Sequence, residues 1–337
     1  MIKVFDSNLT FKGFLDRFNS FQCSQKYADV GSFQIKAILT EETVSLLQEG
    51  NFVQYKDFAG IIDSIQMNDN AGEVPTISAS GYDLVGLLKS RIIWAMTDTY
   101  FSGNSEEFLR MIVSSNAINP ADSKRKIPFL ALGTLSGLPQ TTERNTNHET
   151  LLDECIKVCN VAEYGFSIDL DAKNKKMLFR VYLGEDRTAG QPNQIIIGKA
   201  FDNVMMQDYT YSTKDEVTTV LVEAEEDSVV IGGDAAGFKR KEAIVESSTK
   251  QEELTSEQFK NILKAEGNES LNSITECFDI DVYNTSLSLG DKITVRDKKW
   301  NLSFSARVTE KQTTLENGVE TITFLLGKDI KIMGVTK

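Results

Sequence analysis

Alternation of apolar and polar residues with a period of two fills both ends of this chain and restricts it to a sheet-based fold. At the N-terminal end it runs through FNSFQCSQKY (Phe18–Tyr27), GSFQIKAIL (Gly31–Leu39), NFVQY (Asn51–Tyr55) and AGIIDSIQM (Ala59–Met67). NDNAG (Asn68–Gly72) is a hairpin signal, and PTISASGYD follows as the return strand. TEETVSLLQEG (Thr40–Gly50) breaks the pattern with a short helix, opened by Thr and two early acids and closed by Gly. Strands interrupted by one short helix predict a small barrel or sandwich over the first ~90 residues.

The same pattern returns after about Lys199, in NVMMQDYTYS (Asn203–Ser212), TTVLVEAEE (Thr218–Glu226), SVVIGG (Ser228–Gly233) and KEAIVES (Lys241–Ser247). An acid-rich helix, LTSEQFKNILKAEG (Leu254–Gly267), intervenes, with a further turn through Ile274. Four more strands follow: TECFDIDVYN, DKITVRD, LSFSARVTEKQTT and VETITFLLG, the last two joined by an Asn317-Gly318 turn. The middle of the chain mixes types. NSEEFLRMIVSSNA (Asn104–Ala117) and NHETLLDECIKVCNVAE (Asn147–Glu163) have helical spacing, and FSIDLDAKNKKMLFRVYLG (Phe166–Gly184) reads as a hairpin around Ala172–Lys175. The expected architecture is α+β, mainly β. It comprises a first β-barrel (1–93), an α/β insertion domain (94–198), and a second β-barrel (199–248 and 275–337) that carries a small helical insertion (249–274). A length of 337 residues supports about two or three cores. The five prolines argue for short, packed connections.

Charge narrows the partners. With 49 Asp and Glu against 36 Lys and Arg, the net charge is −13, which opposes general nucleic-acid binding because phosphate contacts need cations that displace counterions. Against that background Lys124, Arg125 and Lys126 stand together in NAINPADSKRKIPFLALG. Asn119-Pro120 and Ile127-Pro128 disfavour helix before each proline, so the cluster is expected in an exposed loop. A second basic run, Lys239-Arg240-Lys241, follows Gly237-Phe238. Both runs read either as solvated patches or as surfaces that pair with an acidic neighbour. The start, MIKVFDSNL, lacks the basic and apolar regions of a secretory signal, and no apolar run reaches the roughly 18 residues of a membrane helix.

Catalytic patterns are sparse. The one histidine, His148, begins an HExx pattern but finds Leu152 where a zinc protease needs a second His. The sequence has no GxSxG, no P-loop and no GxGxxG after a strand. Asp169 and Asp171 lack the Gly and terminal Glu of a calcium loop. Cys155 and Cys159, four apart on a helix face, read as core thiols; a metal site with His148 would lack a fourth ligand. Trp94 reads as a buried junction anchor, with an exposed sugar platform as its alternative. No cofactor site is expected.

The chain resembles the siphovirus Gp37-like tail proteins. The likeness rests on EGNFVQY, AGIIDSI, SGYDLVGLLKSRIIW (with Arg91 and Trp94) and NAINPADSKRKIPFLALG (with Asn119, Pro120, Lys124, Arg125 and Pro128). It continues through the Leu151–Thr188 segment ending in GxDRT (Asp186, Arg187, Thr188), FDNVMMQDYTYSTKDEVTTVLVEAEE, and LSLGDKITVRDKKWNLSFSARVTE. The resemblance implies a non-enzymatic homotrimeric hub whose two tube-like barrels per chain adapt a six-fold tail tube to a three-fold tip. The implied neighbours are a distal tail or tube protein, a tape-measure protein and a tip spike or fibre, at the virion tail tip. DNA would pass an acidic lumen without specific binding. Because the chain stops at Lys337, any wall-degrading or receptor-binding part is expected on another polypeptide. A tail-tip receptor- or carbohydrate-binding protein and a tail-borne cell-wall hydrolase are the alternatives. Lys124, Arg125 and Lys126 are the candidate subunit contact.

Overall fold

A computed structural model describes residues 1–94, 100–145, 149–225, 227–251, 254–271, 275–282 and 286–328. The first sheet is built from β1 (Ile2–Phe5), β2 (Phe11–Leu15), β3 (Ser20–Lys26), β4 (Ser32–Ile38), β5 (Phe52–Tyr55), β6 (Phe58–Asn68) and β7 (Thr76–Asp83). Strict alternation in β4 turns Phe33, Ile35 and Ala37 inward, where they meet Ile2, Val4, Phe21, Phe58 and Ile77. Helix α1 (Glu41–Leu46) begins with a reciprocal cap between Thr40 and Thr43 and brings Leu46 and Leu47 to the same core.

The middle segment contains β8 (Tyr100–Asn104), α2 (Ser105–Val113), β9 (Leu130–Leu132), β10 (Thr141–Asn145), α3 (Leu151–Ala162), β11 (Gly165–Asp171) and β12 (Lys176–Tyr182). Asn104 and Thr150 cap the two helices through their side-chain oxygens. Their apolar faces (Phe108, Ile112, Leu151, Cys155, Val158) pack on Phe166, Ile168 and Phe179 of the β11–β12 hairpin. This core also takes in Phe5, Phe52, Leu84 and Leu88, so the middle segment is fused to the outside of the first sheet.

Beyond it lie β13 (Asp186–Arg187), β14 (Ile196–Ile197), β15 (Val204–Ser212), β16 (Thr219–Glu223), β17 (Ser228–Gly232), β18 (Glu242–Glu246), α4 (Ser256–Ser270), β19 (Thr275–Val282), β20 (Lys292–Asp297), β21 (Leu302–Glu316) and β22 (Val319–Lys328). Asn317 and Gly318 both have positive φ, 52° and 79°, as a two-residue hairpin between β21 and β22 requires.

Three features depart from the sequence expectation. First, neither half closes into a barrel among the described residues. One hydrogen-bonded ladder runs β15-β19-β22-β21-β3-β4-β7-β6-β5-β1-β2, with β13, β14 and β20 branching from β21. Second, that ladder crosses from one half to the other within β21. Leu302–Arg307 pair with β20, a register shift falls between Val308 and Glu310, and Glu310–Glu316 pair with β3. The outer part of the β21–β22 hairpin therefore extends the first sheet. Third, β16, β17 and β18, expected in the second barrel, form a separate sheet on which α4 packs through Phe259 and Leu263 against Val220 and Val222. Strands β15 and β19 pair from Val204↔Val282 to Ser212↔Thr275, so residues 213–274 leave and return at one end of that pair. Alternation identifies a strand but not its partner, so the sequence pattern does not show that these three strands form a sheet of their own. The expected further turn to Ile274 lies outside the described residues from 272 onward.

Candidate functional site: the domain junction and the basic turn

The residues singled out by the resemblance form two internal latches. In the first, Arg91–Ile93 are tied to the start of α3 by bonds from Ile93 N–H to Glu149 O and from Leu151 N–H to Arg91 O. A 3-10 turn, Ser123–Arg125, is capped by Asp122, whose Oδ1 accepts from Lys124 N–H at 2.9 Å. This turn lays the Arg125 guanidinium 3.9 Å from the centre of the Trp94 ring. Arg125 Nη2 donates to Ile92 O, Arg91 Nε donates to Arg125 O, and buried Asn116 accepts from Trp94 N–H at 3.2 Å. Burial, reinforced by the Arg91 charge, lowers the Arg125 pKa from its ordinary value. Trp94 is thus an anchor, but a half-exposed one, roofed by a cation. Asn119 ends the helical run by donating to Ser114 O, and Pro120 follows it; Pro128 is exposed beside buried Ile127.

Lys124 and Lys126 differ from Arg125. Both are exposed, and among the described residues neither has a carboxylate within ion-pair distance. The run read as one basic patch divides into a clamp, Arg125, and two free cations held on a rigid turn.

The second latch is GxDRT. Asp186 Oδ1 accepts from the N–H and hydroxyl of Thr188, at 3.0 and 2.7 Å, and these bonds lower its pKa. Arg187 donates to Ser286 O and to Asp291, which is 3% exposed. Asp291 also accepts from Glu185 and Ser288 N–H. These bonds fasten the connector from the middle segment along β20.

Between the latches lies a junction that sequence reasoning missed. Tyr27, at the end of β3, is buried between Gly165 and Gly290, and a methyl group at either glycine would overlap its ring. Its hydroxyl donates to Glu163 O at 3.1 Å, and burial pushes its pKa up to about 12 against the opposing charge of Arg307. Glu163, left-handed at φ 58° after α3, accepts from Arg307 at 2.9 Å and Lys292 at 3.1 Å. The end of β3, the middle segment and strands β20 and β21 therefore meet on one tyrosine and one glutamate. The only sequence signal was the pair of glycines, whose tight approach becomes visible once Tyr27 sits between them.

A cavity of about 410 Å³ opens here, lined by Tyr27, Ile156, Cys159, Glu163, Arg307 and Leu325. Cys159 is fully buried with its thiol pKa raised, and Glu163 is paired with Lys292 and Arg307. Cys155 is likewise buried and raised, and Cys23 is pushed up to about 12 by burial. Among the described residues no three His, Cys, Asp or Glu side chains converge as metal ligands. His148 lies outside the described residues. No described helix is long and apolar enough to cross a membrane.

This fold is similar to those of solved phage tail proteins. The fold matches the 43 kDa tail protein of prophage MuSo2 from Shewanella oneidensis (TM-score 0.59, 13% identity, 99% of each chain covered). It also matches a tail protein from Neisseria meningitidis MC58 (TM-score 0.61, 13% identity, 98% of this chain and 97% of that one). A third match is prophage tail protein gp18 from Listeria monocytogenes EGD-e (TM-score 0.58, 11% identity, 97% and 94%). The chain belongs to the Siphovirus ReqiPepy6 Gp37-like protein family, whose profile matches residues 1–328. No curated protein matches the sequence.

Proposed function

We propose that this phage tail protein is a hub subunit: a homotrimeric, non-enzymatic ring that joins a six-fold tail tube to a three-fold tip. The observation that carries the reading is likeness of fold over nearly the whole length of both chains to prophage tail proteins, in a chain whose family profile spans residues 1–328. In this reading the first sheet with the outer part of β21–β22, and the sheet of β13–β15 and β19–β22, act as the two tube-like units. The middle segment braces them from outside. The partners are further copies of the chain, a distal tail or tube protein, the tape-measure protein and a tip spike or fibre. An acidic lumen passes DNA without holding it.

Lys124 and Lys126 are the proposed cationic contact with an acidic neighbour, with Arg125 as the internal anchor that orients them. Electron microscopy of assembled tails tests the reading: three copies at the tip end of the tube are expected, and a particle without the chain refutes it. A clear zone on a peptidoglycan zymogram would favour the hydrolase alternative instead. Binding of the isolated chain to host cells would favour the receptor-binding one.

A further inference from the structure

One face of the β16–β18 sheet is covered by α4, through Val220 and Val222; Leu221, Val230 and Ile244 lie on the other. These three form a row across the sheet, with Leu221 directly opposite both Val230 and Ile244. A sheet with one solvated face ordinarily carries polar residues there. Here Val230 and Ile244 are 56% and 57% exposed, with Leu221 half-buried between them. Phe238, in the turn between β17 and β18, adds a fully exposed ring.

Charge at one end of this row is unbalanced. Glu223 and Glu246 stand directly opposite one another on neighbouring strands, where like charges repel. Both are exposed, and among the described residues neither has a cation within ion-pair distance. Exposed Glu225 follows in the adjoining turn. At the other end Glu242 is paired with Arg240 and Lys241 with Glu216, and exposed Lys239 and Asp234 are of opposite sign. The basic turn has the reverse character. Arg125 bonds to Ile92 O and lies on the Trp94 ring, so exposed Lys124 and Lys126 sit beside Ile92 and Trp94, themselves 42% and 45% exposed. Asp122, the acid within that turn, is engaged with Lys124 N–H.

We infer that the Leu221–Val230–Ile244 face of one copy packs on the Ile92–Trp94 surface of a second, setting Lys124 and Lys126 against Glu223 and Glu246. Each surface joins exposed apolar side chains to unpaired charge of one sign, and the signs are opposite. Either surface meeting its own kind would bring like charges together, whereas the mixed contact relieves both. A second copy therefore supplies the complement that each surface lacks. The contact is heterologous, since one surface meets a different one. It involves none of the strands of the long ladder. This inference rests on the hub reading and names the acidic neighbour that its basic turn meets.

Photocrosslinking tests it in the full-length chain within assembled tails. Ile244, already more than half in solvent, is replaced by p-benzoylphenylalanine. The expected product joins two copies, with the link mapped by mass spectrometry to the peptides that hold Ile92–Trp94 or Ser123–Lys126. Tails that contain three copies, but in which position 244 links to a different protein, to another part of the chain or to nothing, overturn the contact and leave the hub reading standing. Tails without the chain overturn both. Independently, Glu223→Lys combined with Glu246→Lys should lower the yield of assembled tails about tenfold, and adding Lys124→Glu and Lys126→Glu should restore it. Circular dichroism of the purified variants confirms that each folds. A four-residue variant that assembles no better than the double one counts against the inference.

Discussion

The buried contact of Arg144 with Glu154 allows a quantitative test of how the middle segment is held. Arg144, on β10, is 7% exposed and Glu154, on α3, is 0% exposed; two parallel bonds of 2.7 Å join Nε to Oε1 and Nη2 to Oε2. Arg144 also pairs with Glu269 of α4, so one guanidinium ties β10, α3 and the 213–274 unit together. Burial raises the Glu154 pKa, and Arg144 opposes that rise. Arg144→Met removes the opposition and leaves a carboxylate in the core. The expected cost is about 3–5 kcal/mol, a large share of the roughly 5–15 kcal/mol that stabilises a typical domain.

Adding Glu154→Leu removes the stranded charge and should recover most of the loss, because an apolar pair of similar volume is often no worse than a buried ion pair. Urea unfolding followed by circular dichroism measures both variants, and hydrogen exchange locates the change. Amides of α3 and α4 should both lose protection in Arg144→Met, whereas Glu269→Gln should loosen α4 alone. A sign follows for pH. Without Arg144, the folded chain binds a proton at Glu154 that the unfolded chain releases near the ordinary glutamate value. The variant's deficit should therefore shrink as pH falls toward that value. A loss below about 1 kcal/mol, or single costs that add in the double variant, would refute the account of a paired buried charge.

Three other perturbations probe the remaining contacts. Burial raises the Asp83 carboxyl to about 6, so the folded chain holds a proton that the unfolded chain gives up near 3.8; stability should fall as pH rises through that window. Asp83→Asn, which keeps an acceptor for Gly31 N–H, should flatten that fall in unfolding midpoints measured across the window. Tyr27→Ala should cost about 3–5 kcal/mol by urea unfolding, as for other buried aromatics, whereas Tyr27→Phe loses only the hydroxyl bond, about 1 kcal/mol. Arg125→Ala should uncover Trp94, shift its fluorescence to longer wavelength and cost about 1 kcal/mol or more. Lys124→Ala and Lys126→Ala, outside the clamp, should leave the Trp94 emission unchanged.

Local structure was legible where a local rule decides it. The alternation of β4, the Thr40 cap of α1, the Asn317-Gly318 hairpin and the amphipathic face of α3 were each read from fewer than twenty residues, and each stands in the structure. What sequence did not reveal depends on partners far apart along the chain. Glu316 meets Ser20, and Tyr27 bonds to Glu163, with no motif linking the pairs. Strand β16 alternates as well as β15, yet it joins another sheet because Val220 and Val222 find α4. The basic run was visible, but its division was not. That Arg125 turns onto Trp94, 31 positions earlier, depends on a turn that Asp122 caps and on the buried amide of Asn116.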